Sequence, residues 1–79
     1  MKVASIKLLV DNYSLDQLIL VEEALYNEEP LPVDVEGADE GEKLTHVLAA
    51  IEILKDMTRG NDYKTALRNY SSRVRNSIN

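Results

Sequence analysis

The segment that decides the fold is residues 42–59, EKLTHVLAAIEILKDMTR. Its large apolar residues recur every three or four positions, which is the spacing of one face of an α-helix. These residues are Leu44, Val47, Leu48, Ile51, Leu54 and Met57. Ala49 and Ala50 are small enough to let a second helix approach closely. Gly60 favours a left-handed helix end, and Arg59 suits the negative end of the helix dipole. We therefore predict a long amphipathic helix over this segment.

Two shorter helices are predicted before it. The first spans Val3–Val10, with Val3, Ile6, Leu9 and Val10 on one stripe. The second starts after Ser14, which can form a capping box with Gln17. Asn27 ends it, because asparagine tolerates a left-handed turn. Its apolar face is formed by Leu15, Leu18, Ile19, Val21 and Leu25, with Ala24 and Tyr26 at the margin.

A fourth helix is predicted over Asp62–Ile78, capped by Asn61 or Asp62. The junction with the preceding helix is so short that the two helices form an antiparallel pair or a tight corner. Its apolar stripe is formed by Tyr63, Ala66, Leu67, Tyr70, Val74 and Ile78.

Residues 28–41 contain Pro30 and Pro32, which exclude a helix between the second and third helices. Leu31, Val33 and Val35 alternate with other residues, the period of a half-buried extended segment. We therefore predict an extended docking arm, ordered against the helices, in which Asp34 or Glu36 approaches the basic face of the last helix, either in the same chain or in the other copy of a dimer. Pairing of this arm as a strand across a dimer is the less favoured version. The expected fold is all-α, a small bundle of three to four helices with an extended acidic Pro-containing loop, in one domain of residues 1–79.

Composition excludes several classes of protein. The chain has 79 residues, of which 44% are hydrophobic and 29% are charged, as in an ordinary soluble fold. The absence of cysteine excludes disulfide frameworks and thiolate chemistry. No apolar run approaches the roughly 18 residues of a membrane span, and the N-terminal segment lacks the pattern of a signal peptide. We therefore expect a cytoplasmic protein without membrane contact.

The charges are segregated along the chain. Residues 1–10 carry two lysines, residues 11–42 carry eleven acids and no Lys or Arg, and residues 43–79 carry seven bases against three acids. The net charge is -5. The acidic middle can pair with the basic C-terminal third within one molecule or across a symmetric dimer. Because a chain this short buries only about 60% of its unfolded surface, a homodimer is the favoured arrangement.

Catalytic and metal-binding signals are weak. Glu42 and His46 lie one helical turn apart, but one Glu-x-x-x-His falls short of the repeated Glu-x-x-His pattern of a bundle metal site, so a structural or solvated histidine is favoured. The acidic residues Asp34, Glu36, Asp39, Glu40 and Glu42 lack the EF-hand spacing and are interpreted as a solvated loop. Phosphate-binding glycine motifs and a serine triad are absent from the sequence. We expect no enzyme activity, no cofactor and no metal.

The remaining candidate is an interaction face on the last helix, formed by Lys64, Arg68, Arg73 and Arg75. Together with the docking arm of Leu31, Val33 and Val35, it indicates a protein–protein interaction or regulatory module that acts as a homodimer with an unidentified protein partner. The alternative is a nucleic-acid-binding regulator that offers this helix to a groove. The eleven upstream acids and the negative net charge make nucleic acid the less favoured partner.

Four short stretches carry a resemblance to a known family. They are Ile6-Lys7-x-Leu9-Val10, Glu23-Ala24-Leu25, Gly60-x-x-x-Lys64-x-Ala66-Leu67 and Arg73-Val74. The chain resembles a family of small bacterial all-helical proteins of about 80 residues, known only as a domain of unknown function. The resemblance implies a helical fold and a bacterial source, and it implies no activity or catalytic residue.

Overall fold

The computed structural model describes residues 2–77, and the side chains of residues 2–75. Within that range the chain forms four helices and no strand, which confirms the all-α prediction. The helices are α1 (Val3–Asn12), α2 (Leu15–Tyr26), α3 (Glu40–Thr58) and α4 (Tyr63–Ser77). The predicted apolar position Ile78 lies outside the described residues.

Helix α3 is the centre of the fold, because α1, α2 and α4 each pack mainly against it. Its residues are consequently buried on more than one side. The predicted single apolar face was wrong in this respect, since it omitted Ile53, which is fully buried. Ala49 and Ala50 are also fully buried and leave room for the neighbouring helices. The core that surrounds them includes Ile6 of α1 and residues from all four helices and the arm.

The predicted capping box of α2 is confirmed. The Ser14 hydroxyl accepts a hydrogen bond from the Gln17 backbone N–H at 3.2 Å, and the Gln17 side-chain oxygen accepts one from the Ser14 backbone N–H at 2.8 Å. Helix α3 begins two residues earlier than predicted, because the Asp39 carboxylate accepts from the Glu42 backbone N–H at 2.8 Å and so caps it. Helix α1 extends two residues beyond its predicted end.

The left-handed end of α3 at Gly60 is confirmed, with φ of 103°. The Gly60 N–H donates to the Met57 carbonyl at 3.0 Å, and the Asn61 N–H donates to the Asp56 carbonyl at 3.4 Å. This pair of bonds is a Schellman motif, which needs a left-handed residue at the position of Gly60.

The left-handed residue at the end of α2 was assigned wrongly. Asn27 has φ of -92°, whereas Glu28 has φ of 55°. The Glu28 N–H donates to the Leu25 carbonyl at 3.4 Å, and the Glu29 N–H donates to the Ala24 carbonyl at 2.9 Å, which is again a Schellman motif. Because Glu28 has a Cβ atom, this conformation is strained by about 1–2 kcal/mol.

The arm packs against the helical core, as predicted. Val35 is buried in the core, and Leu31 and Val33 are half-buried against it. The arm then approaches α3 closely at Gly37, where a Cβ atom would lie 2.7 Å from the Lys43 Cγ. Glycine at this position therefore permits the close approach.

Candidate functional site

His46 is a structural residue rather than a reactive one. It is fully buried on α3. Its Nε2 accepts a hydrogen bond from the Lys2 backbone N–H at 3.0 Å, and its Nδ1 lies 2.8 Å from the Glu36 backbone oxygen. Because a backbone N–H only donates and a carbonyl only accepts, the imidazole is neutral with its proton on Nδ1. His46 thus fastens the start of α1 and the arm to α3, and both nitrogens are occupied.

The acidic loop residues contact the protein itself. The Glu36 carboxylate accepts a hydrogen bond from the buried Ser5 hydroxyl of α1 at 2.8 Å. Asp39 caps α3, and the Glu42 carboxylate accepts from the Ala38 backbone N–H at 3.4 Å. Among the residues that the structure describes, no group of three His, Cys, Asp or Glu side chains is arranged to hold a metal ion.

A buried carboxylate joins the last two helices. Asp56 of α3 is almost fully buried, and its oxygens accept hydrogen bonds from the Arg59 guanidinium and from the Asn69 amide of α4, each at 3.2 Å. The short connection between α3 and α4 contains Asp62, whose carboxylate accepts a hydrogen bond from the Thr65 backbone N–H at 2.8 Å. This hydrogen bond lowers the pKa of Asp62 and identifies it as the cap of α4.

The tyrosines of α4 face the rest of the protein. Tyr63 and Tyr70 are half-buried and pack against the core. Burial raises the pKa of both phenols, and the negative charge of Glu52 adds to the effect at Tyr70. The Lys7 ammonium lies 4.8 Å from the centre of the Tyr63 ring. These rings therefore serve the fold and leave no aromatic platform on the outer face of α4.

The four residues of the predicted interaction face all lie exposed on α4. They are Lys64, Arg68, Arg73 and Arg75. Residues 63–77 contain no acidic residue, so all the charged side chains of α4 itself are basic. In the described part of the chain the ion pairs are Lys7–Asp11 and Arg59–Asp56. Neither joins the acidic middle of the chain to α4, and the predicted approach of Asp34 or Glu36 to the basic face of the same chain is not among them.

An acidic and partly apolar stripe runs along the outside of α2, where sequence reasoning did not place a site. Asp16, Leu20, Glu23 and Asn27 recur at intervals of four, three and four residues, so they share one face of the helix. All four are exposed, and Leu20 leaves 57% of its surface accessible. Tyr26, on a neighbouring stripe, is 61% exposed. We call Asp16, Leu20, Glu23 and Asn27 the α2 stripe.

The α2 stripe borders a groove formed with the docking arm. The groove has a volume of about 390 Å³, and its apolar lining comes from Leu20, Ala24, Pro30 and Pro32. Glu23, Asn27 and Glu29 supply its polar rim. Because none of its lining residues is basic and Glu23 and Glu29 are acidic, the groove itself is acidic. The helical periodicity of the sequence gave no signal for this groove. Leu20 lies outside the predicted apolar face of α2, and Pro30 and Pro32 lie beside Leu20 only in the folded chain.

The fold and its surfaces define a small all-α protein in which three helices surround a fourth, with an acidic groove on α2 and a basic face on α4. The sequence model of a family of unknown function, DUF6952, matches residues 1–79. The chain therefore belongs to this family, in agreement with the resemblance found in its sequence. No curated protein and no solved structure matches the chain. None of the helices in the described residues combines the length and the apolar character needed to cross a membrane.

Proposed function

We propose that this chain is a protein-interaction module that acts as a homodimer. The observation that carries the proposal is the groove between α2 and the arm. It combines exposed apolar side chains, chiefly Leu20 and two prolines, with a rim of carboxylates. An apolar centre within a polar rim is the organisation of protein–protein interfaces. The surrounding core is already complete without Leu20, so this side chain is free to contact a partner.

The homodimer is supported by the distribution of charge. Eleven acids lie in residues 11–42, and the basic residues of α4 have no ion-pair partner among them in the described structure. Opposite charges that do not meet within one chain can meet between two copies, and symmetric pairs are the commonest oligomers of soluble proteins.

We further propose that the chain has no enzyme activity of its own. The sequence contains one histidine and no cysteine, and both nitrogens of His46 are engaged in hydrogen bonds that hold the fold together. The other carboxylates with assigned partners cap helices, fasten the arm or pair with neighbouring side chains. Among the described residues, these contacts therefore give no basis for assigning an activated nucleophile or a general base.

The proposal is tested by photo-crosslinking in the cell. A photoreactive residue replaces Leu20 in the groove, and a control chain carries it instead of Lys55, which is exposed on α3. We expect an adduct at Leu20 of about twice the 8.9 kDa monomer mass, and far less at Lys55. Equal adducts at both positions, or none at Leu20, would refute the interaction role. Adducts at Leu20 with a different protein alone would keep the interaction role and remove the homodimer.

Nucleic-acid binding by α4 is the second candidate function. The exposed, acid-free face of Lys64, Arg68, Arg73 and Arg75 favours it. The net charge of -5 opposes it, because the acidic remainder of the chain repels phosphate. Fluorescence anisotropy with labelled DNA and RNA at low ionic strength tests it, and a salt-dependent increase in anisotropy would place this function first.

A further inference from the structure

We infer that the outer face of α4 binds the α2 stripe of a second copy of this chain, with the two helices antiparallel. The inference rests on the proposed homodimer and adds which surfaces meet and in which register. It is carried by the matching spacing and opposite charge of two exposed helix faces, between which no ion pair forms within the described chain.

The spacing of the charged residues is the first step. On α2, Asp16 and Glu23 are seven residues apart, and on α4, Arg68 and Arg75 are also seven residues apart. Seven residues are two helical turns, so each pair lies on one face with a separation of about 10.5 Å. Two parallel or antiparallel helices with equal spacings can therefore form both ion pairs at once.

The neighbouring residues favour the antiparallel register. The α4 stripe is Lys64, Arg68, Ser72 and Arg75, and the α2 stripe is Asp16, Leu20, Glu23 and Asn27. When the helices run in opposite directions, Arg75 meets Asp16, Ser72 meets Leu20, Arg68 meets Glu23, and Lys64 meets Asn27. The parallel register keeps the two ion pairs but moves Lys64 beyond the start of α2. Antiparallel helices also align their dipoles favourably.

The groove beside the α2 stripe suits arginine in particular. The apolar stem of an arginine side chain can cover Leu20, Pro30 and Pro32 while its guanidinium reaches the carboxylates of Glu23 and Glu29. This combination of an apolar stem and a planar cation explains why a groove with both apolar and acidic lining matches a helix that exposes arginine.

The fold prevents this pairing within one molecule. Helices α2 and α4 each pack against α3, and contacts among the outer helices are minor. A stable interface covers about 800 Å² on each partner, which is about 15% of the 5162 Å² surface of this chain. In a two-fold dimer two equivalent α2–α4 contacts share that area, so each helix face supplies about half of it.

The inference is tested by charge reversal in the purified full-length chain, measured by sedimentation equilibrium. Arg68→Glu/Arg75→Glu reverses the α4 stripe, and Asp16→Lys/Glu23→Lys reverses the α2 stripe. Each variant places like charges opposite each other at both contacts. We expect the dimer dissociation constant of either variant to rise at least about 100-fold. An equimolar mixture of the two variants restores complementary charges at both contacts, so the heterodimer forms with parental affinity.

A matched control separates the stripe from net charge. Lys2→Glu/Lys55→Glu makes the same change in net charge as Arg68→Glu/Arg75→Glu, at exposed positions away from both stripes. We expect this variant to dimerise like the parent. The register is tested by single changes: Arg68→Glu is rescued by Glu23→Lys in the partner and not by Asp16→Lys. Rescue by Asp16→Lys instead would overturn the antiparallel register.

Circular dichroism checks that each variant folds. If a reversed variant unfolds, the neutral variants Arg68→Gln/Arg75→Gln and Asp16→Asn/Glu23→Gln replace it, with an expected weakening of at least about tenfold. A parent that stays monomeric overturns both this inference and the proposed homodimer. A dimer that ignores both reversals but dissociates with Leu8→Glu on α1 overturns this inference alone. Binding of DNA or RNA to α4 that leaves the dimer intact overturns it as well, because the outer face of α4 would then be free in the dimer.

Discussion

The hydrogen bonds of His46 provide the sharpest test of how this small fold is held together. Substitution of His46 by leucine places an apolar side chain of similar size at a fully buried position and removes both hydrogen bonds. A hydrogen bond contributes about 1 kcal/mol to stability, so the expected loss is about 2 kcal/mol. For a domain of this size that loss lowers the melting temperature by about 8–16 °C.

Two further variants separate the bonds. His46→Asn places an amide N–H near the position of Nδ1 and retains the bond to the Glu36 carbonyl. His46→Gln places a carbonyl oxygen near the position of Nε2 and retains the bond from the Lys2 N–H. Each variant therefore loses one bond, and about 1 kcal/mol, at a different place. Hydrogen exchange should become faster at the start of α1 in the asparagine variant and in the arm in the glutamine variant.

The assay is urea denaturation followed by circular dichroism, with Thr45→Ala as the control. Thr45 is the exposed neighbour of His46, and its substitution should change the free energy of unfolding by less than about 0.5 kcal/mol. A leucine variant as stable as the parent would refute the reasoning. The reasoning would also be refuted if the asparagine and glutamine variants showed faster hydrogen exchange in the same segment.

Three other substitutions test the local structure. Glu28→Gly relieves the left-handed residue after α2 and should raise stability by about 0.5–1 kcal/mol in thermal denaturation; a less stable variant contradicts the strain assigned to it. Val33→Ser/Val35→Ser should lower the melting temperature clearly, whereas Asp34→Asn should not; a double variant that melts like the parent means that the arm contributes little. The pKa of Asp62 is lowered in the folded state, so the stability that its carboxylate contributes is present above its ordinary pKa of 3.8 and is lost as the pH falls through the lowered pKa. Asp62→Asn should remove this loss of stability below about pH 4, measured by thermal denaturation across the acid range. A variant whose stability falls with pH as in the parent contradicts the cap.

The features that could be predicted from the sequence are those encoded by residues near one another. The capping box of Ser14 and Gln17 and the glycine end of α3 at Gly60 depend on residues within one turn, and both are confirmed. The arm was predicted from two prolines and an alternating apolar pattern, which are also local. The left-handed residue after α2 was misplaced by one position, because asparagine propensity favours Asn27 while the hydrogen bonds of the helix end place that conformation at Glu28.

The features that were missed depend on how many neighbours an element has. A periodic pattern assumes that a helix buries one face, so it selected Leu44 and Leu54, which are only half-buried, and omitted Ile53, which is fully buried. The position of α3 between three helices comes from their packing rather than from its own sequence. A structural role for His46 was among the favoured interpretations, but its partners could not be predicted, because Lys2 and the arm reach it from distant parts of the chain.

The same arrangement explains why the candidate interaction surfaces needed the structure. Charge segregation was visible in the sequence, but it left open whether the acidic middle and the basic end meet within one chain. Because α2 and α4 both use their apolar faces against α3, each is left with an outer face of one charge sign. A chain folded around a central helix thus keeps its opposite charges apart. Whether a second copy brings Glu23 and Arg68 together is what the complementary charge reversal decides.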